Sequence, residues 1–151
     1  MTIDLQSLDL EIPPAPKPIG NFRNVRQVGS LLFISGQGPR RSDGTLMKGK
    51  VGNDVSVADA YDHARLTGLN ILSVVRDAVG DLQRVKQVVK LLGLVNAVPD
   101  FVDHPAVING CSDLFTEVFG EIGQHARSAI GVASLPNNIT VEIEAIIEIH
   151  D

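Results

Sequence analysis

Tryptophan is absent from this chain, and tyrosine and cysteine occur once each. A single thiol, Cys111, cannot form an internal disulfide, which fits a reducing compartment and reads as cytoplasmic. Positive charge is also short: 13 Lys and Arg stand against 18 Asp and Glu, for a formal charge of -5. Such a surface repels a phosphate backbone unless a basic patch overrides it, and neither Arg40-Arg41 nor the scattered lysines supply one. With aromatics at only 4%, base-stacking platforms are scarce too, so nucleic acid is not an expected partner. No apolar run reaches the roughly 18 residues needed to cross a bilayer. Lys90, Gly93 and Glu142 interrupt the longest ones, and no membrane partner is expected. At the N-terminus Asp4, Asp9 and Glu11 break up the leucines and no positive flank precedes them, so it does not read as a signal peptide.

Cofactor and metal signatures are missing as well. Gly36-Gln37-Gly38 lacks the third glycine of a dinucleotide loop, Arg41 standing in its place, and no lysine-terminated phosphate loop occurs. His63, His104, His125 and His150 show neither the i, i+4 pairing nor the cysteine spacing of a zinc site. Neither a metal nor an organic cofactor is therefore expected.

At 151 residues and 44% hydrophobic composition, the chain is long enough to bury one core and too short for two. Four prolines between positions 13 and 18 impose an extended backbone, so residues 1–18 read as a proline-rich arm and 19–151 as the domain. Strands are expected over Arg23–Val28 and Leu31–Ser35 about a Gly29-Ser30 turn, with a further short strand near Leu46. Ser56 with Asp59 three residues on marks a helix start, and Gly80 its end. Between them an apolar stripe at helical spacing runs from Val57 to Val79 and contains Gly68, read as allowing close approach of a strand. A long strand over Val85–Val98 precedes a second helix from about Pro105, with Ile108, Cys111, Leu114, Phe115 and Val118 directed inward. Two more strands, Arg127–Ser134 and Thr140–Ile149, flank a turn at Pro136 and read as a hairpin. The order implies an α+β fold with two helices on one face of a sheet, whose other face needs a cover that a second copy would provide.

Arg127 and Glu142 are the residues with chemistry to offer. On adjacent antiparallel strands they could make a cross-strand ion pair of about 0.2–1 kcal/mol, or they could belong to a site. Cys111 reads as a small core residue, since no histidine is placed to activate it.

Leu32-Phe33-Ile34-Ser35-Gly36-Gln37, Asn70-Ile71-Leu72, Val88-Val89-Lys90, His125-Ala126-Arg127-Ser128, Leu135-Pro136 and Val141-Glu142-Ile143-Glu144 occur in an order that resembles the reactive intermediate deaminase (Rid, or YjgF) family over about residues 19–149. The likeness is to a subgroup with a longer arm. It implies a chorismate mutase-like domain, a homotrimer with a barrel-like core, and small-molecule sites between subunits. It also implies hydrolytic deamination of an enamine or imine carrying a carboxylate, giving a 2-oxo acid and ammonia without a cofactor. By this resemblance Arg127 grips the carboxylate through its planar fork and Glu142 positions the water. Phe22, Ser35 and Gly36, Asn109, and the backbone amide of Ala129 would line the substrate. Two departures stand out: Phe22 replaces a tyrosine common in deaminating members, and Ala129 replaces a cysteine. His125 stands where proline is common and adds a titratable group beside Arg127, although an exposed histidine in a turn is the plainer reading of it. The competing reading is a regulatory trimer that binds small carboxylates without turnover; ribonuclease action, proposed for some relatives, fits the negative charge poorly.

Overall fold

A computed structural model describes residues 3–151. Strands β1 (Val25–Val28) and β2 (Leu31–Gln37) form a hairpin, its two-residue turn using Gly29 at φ 58°. Helix α1 (Val57–Val79) begins where the Ser56 hydroxyl accepts the Asp59 N–H and ends where the Gly80 N–H bonds Arg76 at φ 86°. Then come β3 (Val85–Asn96), α2 (His104–Phe119), β4 (Ala126–Val132) and β5 (Val141–Ile149). Near Leu46 there is only an isolated bridge to Arg40, too short to make the expected strand.

The five strands lie in the order β1-β2-β5-β3-β4, so β3 separates β4 from β5. This corrects the expected hairpin about Pro136. Helix α2 carries the chain back along the sheet, and β4 enters parallel to β3, whereas β5 pairs antiparallel to β3 and to β2. Asn137 and Asn138, at φ 57° and 58°, make the sharp exit that takes the chain across β3.

Both helices pack on one face. Leu32, Ile34, Leu91, Val95, Ile143, Ala145 and Ile147 point from the sheet into a core completed by Ile71, Leu72, Ile108, Leu114 and Phe115. Gly93 of β3 gives α2 its close approach, since a Cβ there would lie 2.6 Å from Ile108. Gly68 faces a helix instead of the expected strand: its missing Cβ would meet Leu114 and Cys111 of α2. Where the helices cross, Gly110 is tighter still, because a Cβ would overlap the main-chain carbonyl of Tyr61 on α1. A backbone cannot yield as a side chain can. Gly110→Ala is expected to cost about 2 kcal/mol or more, read as a fall of roughly 4–8 °C in Tm by thermal melting. An unchanged Tm would mean that the helices can part at no cost.

The opposite face of the sheet carries Phe33 and Ile130, 43% and 47% exposed. Leu92, Leu94 and Ile146, each only half-buried, share it with Glu142, Glu144 and Glu148. Ahead of β1 the chain lays Ile3, Leu5, Leu8, Leu10 and Ile12 against the core, and Pro13 is buried. No helix among the described residues is long and apolar enough to cross a membrane.

Candidate functional site

Arg127 lies on β4 opposite Leu91, on the helix side of the sheet. Its Nη1 donates to Asn109 Oδ1 at 2.8 Å and to Ser112 Oγ at 3.0 Å, both on α2. Asn109 and Ser112 are three residues apart, which puts them on one face of the helix over the strand. Among the described residues nothing engages Nε or Nη2, so the side-on edge of the guanidinium is left with its hydrogens free. That edge is the one that matches a carboxylate bidentately. Because β4 is the outermost strand, this edge lies at the margin of the subunit. Ala129 follows on the same side of β4, partly buried against the core. His125 stands at the entrance to the strand, with Nε2 2.9 Å from Ser112 Oγ and Nδ1 2.7 Å from the Gly123 carbonyl. Cys111 is fully buried, and burial pushes its thiol well above the ordinary range, against the pull of Arg127. It is not a nucleophile.

Glu142 occupies the other face. Its neighbours Val141 and Ile143 point into the core, so alternation along β5 turns the Glu142 side chain away from the helices. Burial, and then the Glu144 carboxylate beside it, raise its pKa above the usual range. Gly36 makes room for it, since a Cβ at position 36 would stand 2.9 Å from the Glu142 carboxyl group. The β2–β5 register slips between Ile34 and Gln37, a bulge of the kind that re-aims side chains at sites. Glu142 opens into a cleft of about 740 Å3 walled by Pro14–Pro18 of the arm, Phe22, Gly36 and Arg40. Phe22 is 50% exposed on this wall. Ser35 does not line it: the Ser35 hydroxyl donates to the Arg23 carbonyl at 2.7 Å and so tethers the segment that carries Phe22.

Two clusters result, and nothing among the described residues joins them. Arg127, Asn109 and Ala129 gather on the helix side of β4; Glu142, Gly36 and Phe22 gather on the opposite face at β5. Two inter-strand spacings and three residues of register separate Arg127 from Glu142, roughly 14 Å between backbones, with side chains on opposite faces. A cross-strand ion pair, one of the two readings open to these residues in the sequence, therefore does not form. Nothing in the sequence marks Ser112 beyond its three-residue spacing from Asn109.

A five-stranded mixed sheet with two helices on one face defines a chorismate mutase-like class of domain. Residues 3–148 match the family model described as "YjgF/chorismate_mutase-like, putative endoribonuclease". The chain belongs to this YjgF, or reactive intermediate deaminase, family. It is 41% identical to Protein TCP17 of Trypanosoma cruzi over 149 residues, covering 98% of this chain and 93% of that one. It is 31% identical over 141 residues to the 2-iminobutanoate/2-iminopropanoate deaminase of Dermatophagoides farinae, covering 93% and 95%. The crystal structure of the protein Atu1372 from Agrobacterium tumefaciens superposes with a TM-score of 0.90 at 46% identity, over 97% of this chain and 90% of that one.

Proposed function

We propose that this protein is a hydrolytic deaminase of enamine or imine intermediates that carry a carboxylate, acting in clefts between the subunits of a cytoplasmic homotrimer. The observation that carries this reading is the guanidinium of Arg127, held on one side by Asn109 and Ser112 with its bidentate edge open. A second copy completes the site by bringing its Glu142 face to that edge, and the same contact covers Phe33, Ile130 and their apolar neighbours. In the cleft Arg127 neutralises the substrate carboxylate, and the amide of Ala129 donates beside it. Glu142 accepts a hydrogen bond from a water and directs it at the C=N carbon. Water adds there, the C–N bond of the resulting carbinolamine breaks, and ammonia and a 2-oxo acid leave. The imine is already electrophilic, so positioning and charge neutralisation suffice.

The alternative is a trimer that binds carboxylates without turning them over, and Phe22 is the observation that favours it. A phenyl ring on the cleft wall cannot donate to the water that a tyrosine hydroxyl could hold. Decay of 2-aminoacrylate generated in situ separates the two readings. The protein is expected to accelerate its loss above the uncatalysed rate and to sediment as a trimer. Carboxylate binding without acceleration would leave the binding reading, and a monodisperse monomer would remove the intersubunit cleft from both.

A further inference from the structure

Arg127, Ser112, His125 and Gly123 form a hydrogen-bonded chain whose two ends dictate its direction. A guanidinium only donates and a main-chain carbonyl only accepts. Arg127 Nη1 therefore donates to Ser112 Oγ, and His125 Nδ1–H donates to the Gly123 carbonyl. In the neutral ring His125 Nε2 is then left to accept the Ser112 hydroxyl hydrogen. Protonation of His125 reverses this middle link. Nε2–H then donates to Ser112 Oγ, whose two lone pairs hold His125 and Arg127 together. The Ser112 hydroxyl hydrogen is released to seek a new acceptor, and the edge of Arg127 is where a ligand carboxylate would offer one.

The charges around the ring point the same way. His125 is half-buried, edge-on to Phe115 at 6.2 Å. Burial holds its pKa below the usual value, the Gly123 bond opposes that shift, and the Arg127 charge adds to it. On the elements packed around it, Asp113 is bonded by Tyr61, Glu117 by Arg65, and Glu121 is exposed. Among the described residues Arg127 is the charged group that acts on the ring. A carboxylate seated on Arg127 cancels that repulsion.

We propose, building on the reading of Arg127 given above, that Ser112 and His125 are positioning residues of the carboxylate half-site, and that a carboxylate binds there together with a proton taken up by His125. Linkage makes the effect reciprocal: the ligand strengthens proton binding at His125, and the proton strengthens ligand binding by the same factor.

Calorimetric titration of the intact oligomer with 2-oxobutyrate, from about pH 8 down to about pH 5.5, tests this across the histidine range. The affinity is expected to rise roughly fivefold or more toward acid, the low end of ordinary site-to-site coupling. His125→Gln should still bind but with a flatter profile, which separates His125 from Glu142, a second titratable group facing the same ligand. Histidine resonances of the unaltered protein give a readout that needs no variant: His125 should titrate at higher pH with 2-oxobutyrate present than without it. Identical His125 titrations with and without ligand, or equal affinity across the range, would overturn the coupling while leaving Arg127 as the anchor. Absence of binding at every pH would overturn the anchor, and the coupling with it.

Discussion

Arg127→Ala is expected to weaken binding of 2-oxobutyrate about 100-fold or more while the oligomer stays intact. Each charge-assisted hydrogen bond to a guanidinium contributes about 1.5–3 kcal/mol. The open edge offers two, so their sum exceeds the roughly 2.7 kcal/mol that a 100-fold change represents. The fold asks less of this side chain. Arg127 has no carboxylate partner among the described residues, and Asn109 and Ser112 lie at the subunit margin, where water can replace its Nη1. Calorimetry with parallel sedimentation checks both halves of the statement. Equal affinity in the two proteins would make Arg127 a brace between β4 and α2 and no part of a site.

For Glu142→Gln the expected pattern is a split, with turnover of 2-aminoacrylate down about 100-fold, within the usual range for a lost general base, and affinity for 2-oxobutyrate nearly unchanged. The amide keeps the shape that Gly36 accommodates but accepts a proton far less readily. Sign matters for the pH profile. Burial and Glu144 raise the Glu142 pKa, so its carboxyl takes up a proton at higher pH than an ordinary glutamate, and the active, ionised form is lost sooner on acidification. Turnover should fall on the acid side at a pH above the ordinary glutamate range, and that limb should vanish from the residual rate of the variant. Affinity lost in step with turnover would move Glu142 from the water to the substrate.

How far the fold was legible depends on how locally each feature is encoded. Helix α1 was written in its own residues: the Ser56 cap, the apolar stripe and Gly80 require nothing from elsewhere. The partners of β4 were not. Alternation looks the same in a hairpin and in a crossover, and a short turn between two strands favours the hairpin by default; only the path of α2 decides the matter. That one misplacement turned Arg127 and Glu142 from facing neighbours into residues on opposite faces. Gly68 told of a close approach but not of what approached. In the arm, the prolines overshadowed apolar residues at positions 3, 5, 8, 10 and 12 that rest on the core. The site residues themselves came from a family likeness, because a lone arginine and glutamate look like an ion pair until their distance is known. Ser112 stayed hidden because a small polar residue on a helix acquires meaning only from the guanidinium it touches.

With the two residue clusters on opposite faces of one sheet, the proposed cleft is complete only at junctions between copies. Each copy would lend its arginine to one neighbour and its glutamate to the other, like a link with a hook at one end and an eye at the other. An open row of such links always leaves one hook and one eye idle, whereas a closed ring leaves none, so ring closure and full occupancy become the same event. A ring that mixes copies damaged only in the hook with copies damaged only in the eye still contains a junction where a sound hook meets a sound eye. Two lesions, each fatal in a uniform ring, would then partly cancel when the copies are mixed.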